Sequence, residues 1–277
     1  MKLRTIALLC TGLACSSAGG STPQGDASVA ADVAPDSAAD ASPDVSPDVA
    51  PDAAPAARCM ATTVQCQDES IQRLGLFDRV NTVATIRQES AEGGVFVHNV
   101  DATGGGMTPT RAYVYARFTD EGLVKVDLSD EDAFTSLDWD VAFRRFIIRV
   151  NSGVSGPSCV DAARTAPRTD FDALTAVPPG LTYRTEEYVT PPSCEIVPDG
   201  SGLGSPSTAL SSFWTYSGCV HMSGNVYVIR LRSGRSVKFK VLSYYSPAAQ
   251  EQCNTSDSLP SPSGAGFLRV QWAFLGS

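Results

Sequence analysis

Apolar and polar residues alternate with a period of two through much of the C-terminal part of this 277-residue chain. Ala112, Val114, Ala116 and Phe118 alternate against Arg111, Tyr113, Tyr115 and Arg117. Near the end, Leu268, Val270, Trp272 and Phe274 alternate against Arg269, Gln271 and Ala273. Successive side chains of a strand point to opposite faces, so these runs fit half-buried strands and not a helix of period 3.6. Gly, Pro and Ser clusters bound them. Val226 to Arg232 and Arg235 to Tyr245 flank Ser233-Gly234, a two-residue hairpin signal. Trp139, Val141 and Phe143 change phase to Phe146, Ile148 and Val150, which a bulge at Arg144-Arg145 would explain. A short helix is expected only within residues 67–90. The expected fold is all-β: one antiparallel domain over residues 58–277.

The N-terminal part has a different character. Lys2 and Arg4 precede the apolar stretch Thr5 to Ala14, which is too short to span a bilayer and reads as an export signal over residues 1–14. Gly12-Leu13-Ala14-Cys15 resembles a bacterial lipobox, with Gly12 where Leu is usual, making Cys15 the expected lipidated residue. Cleavage after Ser16-Ser17-Ala18 is the alternative. Residues 16–57 hold seven Asp, no Lys or Arg, no aromatic residue and four Pro-Asp pairs, so residues 15–57 are expected to form a disordered acidic spacer. The location implied is the bacterial outer membrane or cell surface, with a periplasmic or secreted protein as the alternative.

Beyond Cys10 and Cys15, six cysteines remain: Cys59, Cys66, Cys159, Cys194, Cys219 and Cys253. An even number in an exported chain reads as three disulfides, among 15 possible pairings. Cys59 and Cys66 are near enough in sequence to bridge locally. Cys194–Cys219 and Cys159–Cys253 are the expected longer pairs. No CxxC occurs and the chain has only two His, so no metal site is expected.

The net charge is −9, but residues 58–277 carry 19 basic against 23 acidic side chains. Neither value suits nucleic-acid binding, which needs a dense basic face. Gly153-Val154-Ser155-Gly156-Pro157 lacks the last Gly of a hydrolase elbow, and Gly200 to Gly204 has no P-loop Lys. Glu186-Glu187 and the acids at 130–132 and 138/140 offer carboxylates, but adjacent acids in a strand face opposite ways and acidic turns are usually solvated. No enzyme is expected. Axial haem ligands are His, Met, Cys or Tyr, which leaves His98, His221, Met107, Met222 and Tyr such as Tyr244. In extended chain His221 and Met222 would project oppositely.

The order of motifs is more specific than any one of them. Tyr113-Val114-Tyr115-Ala116-Arg117-Phe118 leads to Gly122-Leu123-Val124-Lys125-Val126, then to Asp138-Trp139-Asp140-Val141-Ala142-Phe143-Arg144-Arg145 and Asn151-Ser152-Gly153-Val154-Ser155-Gly156. Val226 to Arg230, Lys238 to Tyr245 and a closing aromatic strand follow. Over roughly residues 111–275 this resembles the HmuY family of haem-binding surface lipoproteins. The resemblance implies an all-β fold with haem held between two axial side chains on a hairpin region, His in the founding type and Met in others. The matching stretch here, about residues 188–220, contains neither, and Tyr216-Ser217-Gly218 stands where the founding type has aromatic-Ser-His. The haem ligands to test are therefore His221, Met222 as an alternate donor, and His98 from a distant strand. The partners implied are haem or another tetrapyrrole and a membrane reached through the lipid anchor. The alternative is a non-catalytic surface scaffold or protein-interaction lipoprotein that has lost the family's haem ligands.

Overall fold

The alternating runs pair as antiparallel strands in a computed structural model, which describes residues 57–105 and 108–276. The expected signal segment, Cys15, all of the spacer before Ala57, and Met107 lie outside these residues. In chain order the elements are α1 (Gln67–Leu74), β1 (Ile86–Glu92), β2 (Val95–Asp101), β3 (Val114–Thr119), β4 (Gly122–Val126), β5 (Val141–Arg144), β6 (Ile147–Val150), β7 (Asp161–Arg164), β8 (Val189–Thr190), β9 (Glu195–Ile196), β10 (Trp214–Ser217), β11 (Cys219–Met222), β12 (Val226–Arg230), β13 (Ser236–Ser243), α2 (Pro247–Ser256) and β14 (Phe267–Phe274). A six-stranded sheet runs β1-β2-β14-β13-β12-β7, and a four-stranded sheet runs β4-β3-β5-β6. Two ribbons, β8–β9 and β10–β11, complete the β structure.

Period two decides which core each side chain joins. Phe96, Val100, Tyr227, Ile229, Phe239 and Trp272 from the larger sheet meet Val114, Phe118, Val141, Phe143 and Ile148 from the smaller one. Trp272 stacks on Phe96 with centroids 4.5 Å apart and meets the Phe118 ring edge-on at 4.9 Å. Each such side chain contributes about 1.5–3 kcal/mol by leaving water. The alternate residues face outward into smaller clusters. Val226 and Val228 pack with Phe171, Leu174 and Leu275. Tyr113, Tyr115 and Ala142 pack with Leu74, Trp139 and Tyr188.

Four local expectations are corrected. The phase change after Phe143 is not a bulge: β5 and β6 form a hairpin with Arg144 opposite Ile147, and Arg145-Phe146 is its turn. Chain reversal through two residues keeps Val141 opposite Val150 and Phe143 opposite Ile148, so all four stay on the core face. The β12–β13 connection lies where expected, but its loop is Arg232–Gly234, with Gly234 at φ 88 donating its N–H to the Leu231 carbonyl at 3.0 Å. The helix expected within 67–90 is α1 alone, and Ile86–Glu92 is strand. A second helix, α2, opens with Pro247 and ends at Asp257 in the left-handed region (φ 51). Only Ala249, Gln250 and Cys253 of α2 are buried, so it carries little apolar periodicity to announce it.

The six cysteines form three disulfides, but the pairs are Cys59–Cys159, Cys66–Cys194 and Cys219–Cys253. These replace the expected Cys59–Cys66, Cys194–Cys219 and Cys159–Cys253. Residues 58–62 run across the domain, bonded by Arg58 N–H to the Arg232 carbonyl (2.8 Å) and by Thr62 N–H to the Pro157 carbonyl (2.9 Å). That path carries Cys59 to Cys159 and delivers Cys66, at the start of α1, to the β8–β9 ribbon. The unforeseen α2 brings Cys253 to Cys219.

Candidate functional site

In the β10–β11 ribbon, Trp214 lies opposite Met222, Thr215 opposite His221 and Tyr216 opposite Val220. Gly218 sits at the bend with φ 77, and a Cβ there would come within 2.8 Å of the Asp257 carbonyl oxygen. A side chain at 218 is therefore excluded twice, by backbone conformation and by space. His221 shares a ribbon face with Thr215, and its Nε2 lies 2.8 Å from Asp257 Oδ1 and 3.5 Å from Cys219 Sγ. Met222 projects to the other face, where it packs against the inter-sheet core. The two neighbours thus point apart, as an extended chain requires. Tyr216 is 53% exposed, whereas Trp214 is buried and donates its indole N–H to the Phe146 carbonyl at 3.0 Å.

His98 occupies a different setting. It lies in β2 between Gln88 and Val270, is 2% exposed, and shares its face with Phe96 and Val100. The Leu123 N–H points at its Nε2 at 3.0 Å and the Trp272 indole N–H at its Nδ1 at 3.2 Å. The neutral ring has a single acceptor nitrogen, so it accepts one of these two N–H groups and its own N–H sits on the other nitrogen. Burial pulls the imidazole pKa down to about 4. His98 therefore stays neutral. Among the described residues no hydrogen bond joins it to His221. Tyr244 is buried beside Phe146 and Tyr245, and burial raises its phenol pKa.

An open cleft of about 610 Å³ lies at the start of the 188–220 stretch, lined by Thr62, Gln65, Val154, Glu187, Val189 and Val197 among others. Glu186 borders it with its carboxylate turned inward, accepting the Val150 N–H at 2.8 Å and the Ala209 N–H at 3.1 Å. Glu187, its neighbour, is exposed. Burial pushes the Glu186 pKa up to about 7. A raised carboxyl pKa means that the folded state holds the proton more tightly, so its stabilising contribution is present at low pH and lost as pH rises through about 7. His98 works in the opposite sense, its contribution being lost as pH falls from its ordinary range towards about 4. Between pH 8 and 6.5 Glu186 dominates. Glu186 by itself raises the unfolding free energy by roughly 0.8 kcal/mol as pH falls across that window, and His98 takes back roughly half of this. A net rise of about 0.5 kcal/mol is expected, and Glu186→Gln should abolish or reverse it. Urea denaturation at both pH values decides it; an equal slope in the variant would remove Glu186 as the cause.

Sequence reasoning also passed over a buried polar cluster behind β3 and β6. Asp130, read as part of a solvated acidic turn, is fully buried. Its carboxylate accepts the Phe77 and Tyr113 N–H groups (3.0 and 2.9 Å) and the Tyr115 hydroxyl (2.9 Å). Arg149, also fully buried, donates to the Tyr115 hydroxyl at 2.7 Å and to Ser155 Oγ at 3.1 Å. The guanidinium groups of Arg144 and Arg149 both stack on Tyr113, 4.1 and 4.0 Å from its centroid. Only the outward-facing polar phase of these strands hinted at it.

A family model described as HmuY protein matches residues 110–256. No curated protein matches the chain. Similar solved structures include a candidate HmuY-like haem-binding protein from Bacteroides vulgatus, at 18% identity and a TM-score of 0.45, covering 69% of this chain and 98% of the other. A candidate lipoprotein from Bacteroides fragilis shows 16% identity and a TM-score of 0.39, covering 69% and 94%. The apo HmuY analogue of Tannerella forsythia shows 14% identity and a TM-score of 0.37, covering 71% and 100%.

Proposed function

Starting from the chain's membership of the HmuY family, we propose that it is an exported, lipid-anchored protein that captures haem or a related tetrapyrrole and catalyses nothing. The observation that carries this reading is the family match itself, because residues 110–256 include the β10–β11 ribbon and nearly all of α2. His221 is the donor best placed to meet a ligand from solvent. Its side chain is 23% exposed, and its Nε2 is hydrogen-bonded to the exposed Asp257 carboxylate, which iron would displace. A second axial donor on the same ribbon face is not supplied by Met222, which points away, or by His98, which is buried in β2 with its one acceptor nitrogen engaged. The residues present thus fit one axial imidazole and not a sandwiched pair.

Haemin added to the folded protein should give a saturable, red-shifted Soret band. His221→Ala should weaken binding at least about tenfold, or 1.4 kcal/mol, and alter the iron's spin state. A specific observation favours a second reading, a scaffold that has lost its ligand: Gly218, at the position of the family's His, cannot carry a side chain here. No spectral change at micromolar haemin would establish that reading instead. Binding unaffected by His221→Ala would exclude imidazole ligation from the ribbon.

Anchoring rests on Cys15. Two acyl chains on one residue suffice for stable membrane residence where one is marginal. In a lipoprotein-processing host the wild type should partition into detergent and Cys15→Ser into the aqueous phase. If both remain aqueous, cleavage after Ala18 becomes the reading.

A further inference from the structure

We propose that the Cys219–Cys253 pair, when reduced, forms with His221 and Asp257 a four-donor site for Zn2+. The four residues come from two elements only: Cys219 and His221 from β11, Cys253 and Asp257 from the C-terminal end of α2. The donor atoms of Cys219, His221 and Cys253 all lie within 4.8 Å of one another. Asp257 Oδ1 is 2.8 Å from the same Nε2 that lies 3.5 Å from Cys219 Sγ. Tetrahedral zinc with Zn–S near 2.3 Å and Zn–N near 2.0 Å separates sulfur from nitrogen by about 3.5 Å. The Cys219–His221 spacing already has that value. Two sulfurs, one imidazole and one carboxylate make a donor set that zinc accepts and harder ions such as Mg2+ do not.

The frame that holds these residues does not depend on the disulfide. Gln250 of α2 donates its amide N–H to the Val220 carbonyl at 3.0 Å, and its carbonyl accepts the Tyr244 N–H at 2.9 Å. The Tyr245 hydroxyl accepts the Val220 N–H at 3.0 Å. Val220 lies between Cys219 and His221, so α2 stays docked on β11 when the sulfurs part. Both cysteines are fully buried, while His221 and Asp257 open towards solvent, so metal enters on the imidazole side.

The chemistry balances with a dithiol as reductant. The dithiol gives up two electrons and two protons and closes to its own disulfide, while the Sγ–Sγ bond of Cys219 and Cys253 breaks to two thiols. Zn2+ then displaces both thiol protons to solvent. The imidazole keeps one proton, carried on Nδ1 so that Nε2 is free to bind. The site is independent of the haem reading, although the two ligands would compete for His221.

Co2+ serves as the spectroscopic probe on the full chain, reduced under anaerobic conditions. Reduced wild type should bind one equivalent with a thiolate-to-cobalt charge-transfer band and tetrahedral d–d bands, both erased by Zn2+. The oxidised protein should show neither band. The double variant Cys219→Ser/Cys253→Ser, which keeps the other four domain cysteines, should also show neither when reduced. His221→Ala should weaken cobalt binding at least about tenfold. The same bands in the double variant, an unaltered affinity in His221→Ala, or no band in folded reduced wild type would each overturn the proposal. If reduction unfolds the chain, one equivalent of Zn2+ must restore the native near-ultraviolet circular dichroism of wild type and not of the double variant. Failure to do so also overturns it.

Discussion

Replacing Cys66 and Cys194 together by Ala should lower the unfolding free energy by about 4 kcal/mol, because the bridge closes a further loop in the unfolded chain. The two cysteines are 128 residues apart in sequence, but with Cys59–Cys159 intact the bridge closes only the path 66–59 and 159–194, 7 plus 35 residues. That is close to the 34 of Cys219 and Cys253, for which the same loop-entropy relation gives about 3–4 kcal/mol. The bridge also joins the start of α1 to the β8–β9 ribbon, at one side of the cleft that Gln65 and Val189 line. Both half-cystines have left-handed backbone (φ 56 and 53), a conformation that costs a non-glycine residue about 1–2 kcal/mol. Ala cannot relieve that cost without local movement. Urea denaturation of the two double variants, monitored by tryptophan fluorescence, provides the comparison. Loop closure makes the two losses nearly equal, so a difference of more than about 1.5 kcal/mol between them would show that it does not govern the stabilisation.

Asp130→Ala should cost about 3–5 kcal/mol, the range for breaking a buried ionic network by removing one partner. The carboxylate receives three hydrogen bonds, and Arg144 Nη1 lies 3.9 Å from it. With Ala at 130, the Phe77 and Tyr113 N–H groups lose their acceptor and two buried guanidinium groups lose their nearest compensating charge. Asp130→Asn keeps the shape and part of the hydrogen bonding, so it should be distinctly milder than Ala. The order of the two variants in denaturant midpoint separates charge from packing. An Asp130→Ala protein within 1 kcal/mol of wild type would mean that water replaces the carboxylate and that the network contributes little.

Strand positions and core faces were legible because one physical signal, alternation, acts locally and repeats. Val114, Ala116 and Phe118 against Tyr113 and Tyr115 are separated by alternation alone, and the two sets do enter different clusters. The ordered motifs between Tyr113 and Gly156 were likewise enough to point to the HmuY family. The same reasoning located the β12–β13 turn to within a residue. It expected three disulfides from an even count of cysteines, and three form.

Pairing of those cysteines was beyond it. Connectivity depends on where distant segments meet, and the path of residues 58–66 across the domain leaves no local mark. The candidate site divides in the same way. That His221 and Met222 face apart follows from strand geometry, whereas the Asp257 carboxylate at His221 depends on α2, a helix with almost no apolar stripe. Asp130 and Glu186 look in sequence like any surface acids. Only the packed structure places backbone N–H groups around them and removes the water, and it is that loss of water, not residue type, which holds Glu186 near pKa 7 and makes Asp130 part of the core. Alternation determined which face of an alternating strand is apolar; tertiary contact alone decided which polar side chains were to be buried, because burial is a property of neighbours that the fold brings together from separate elements of the chain.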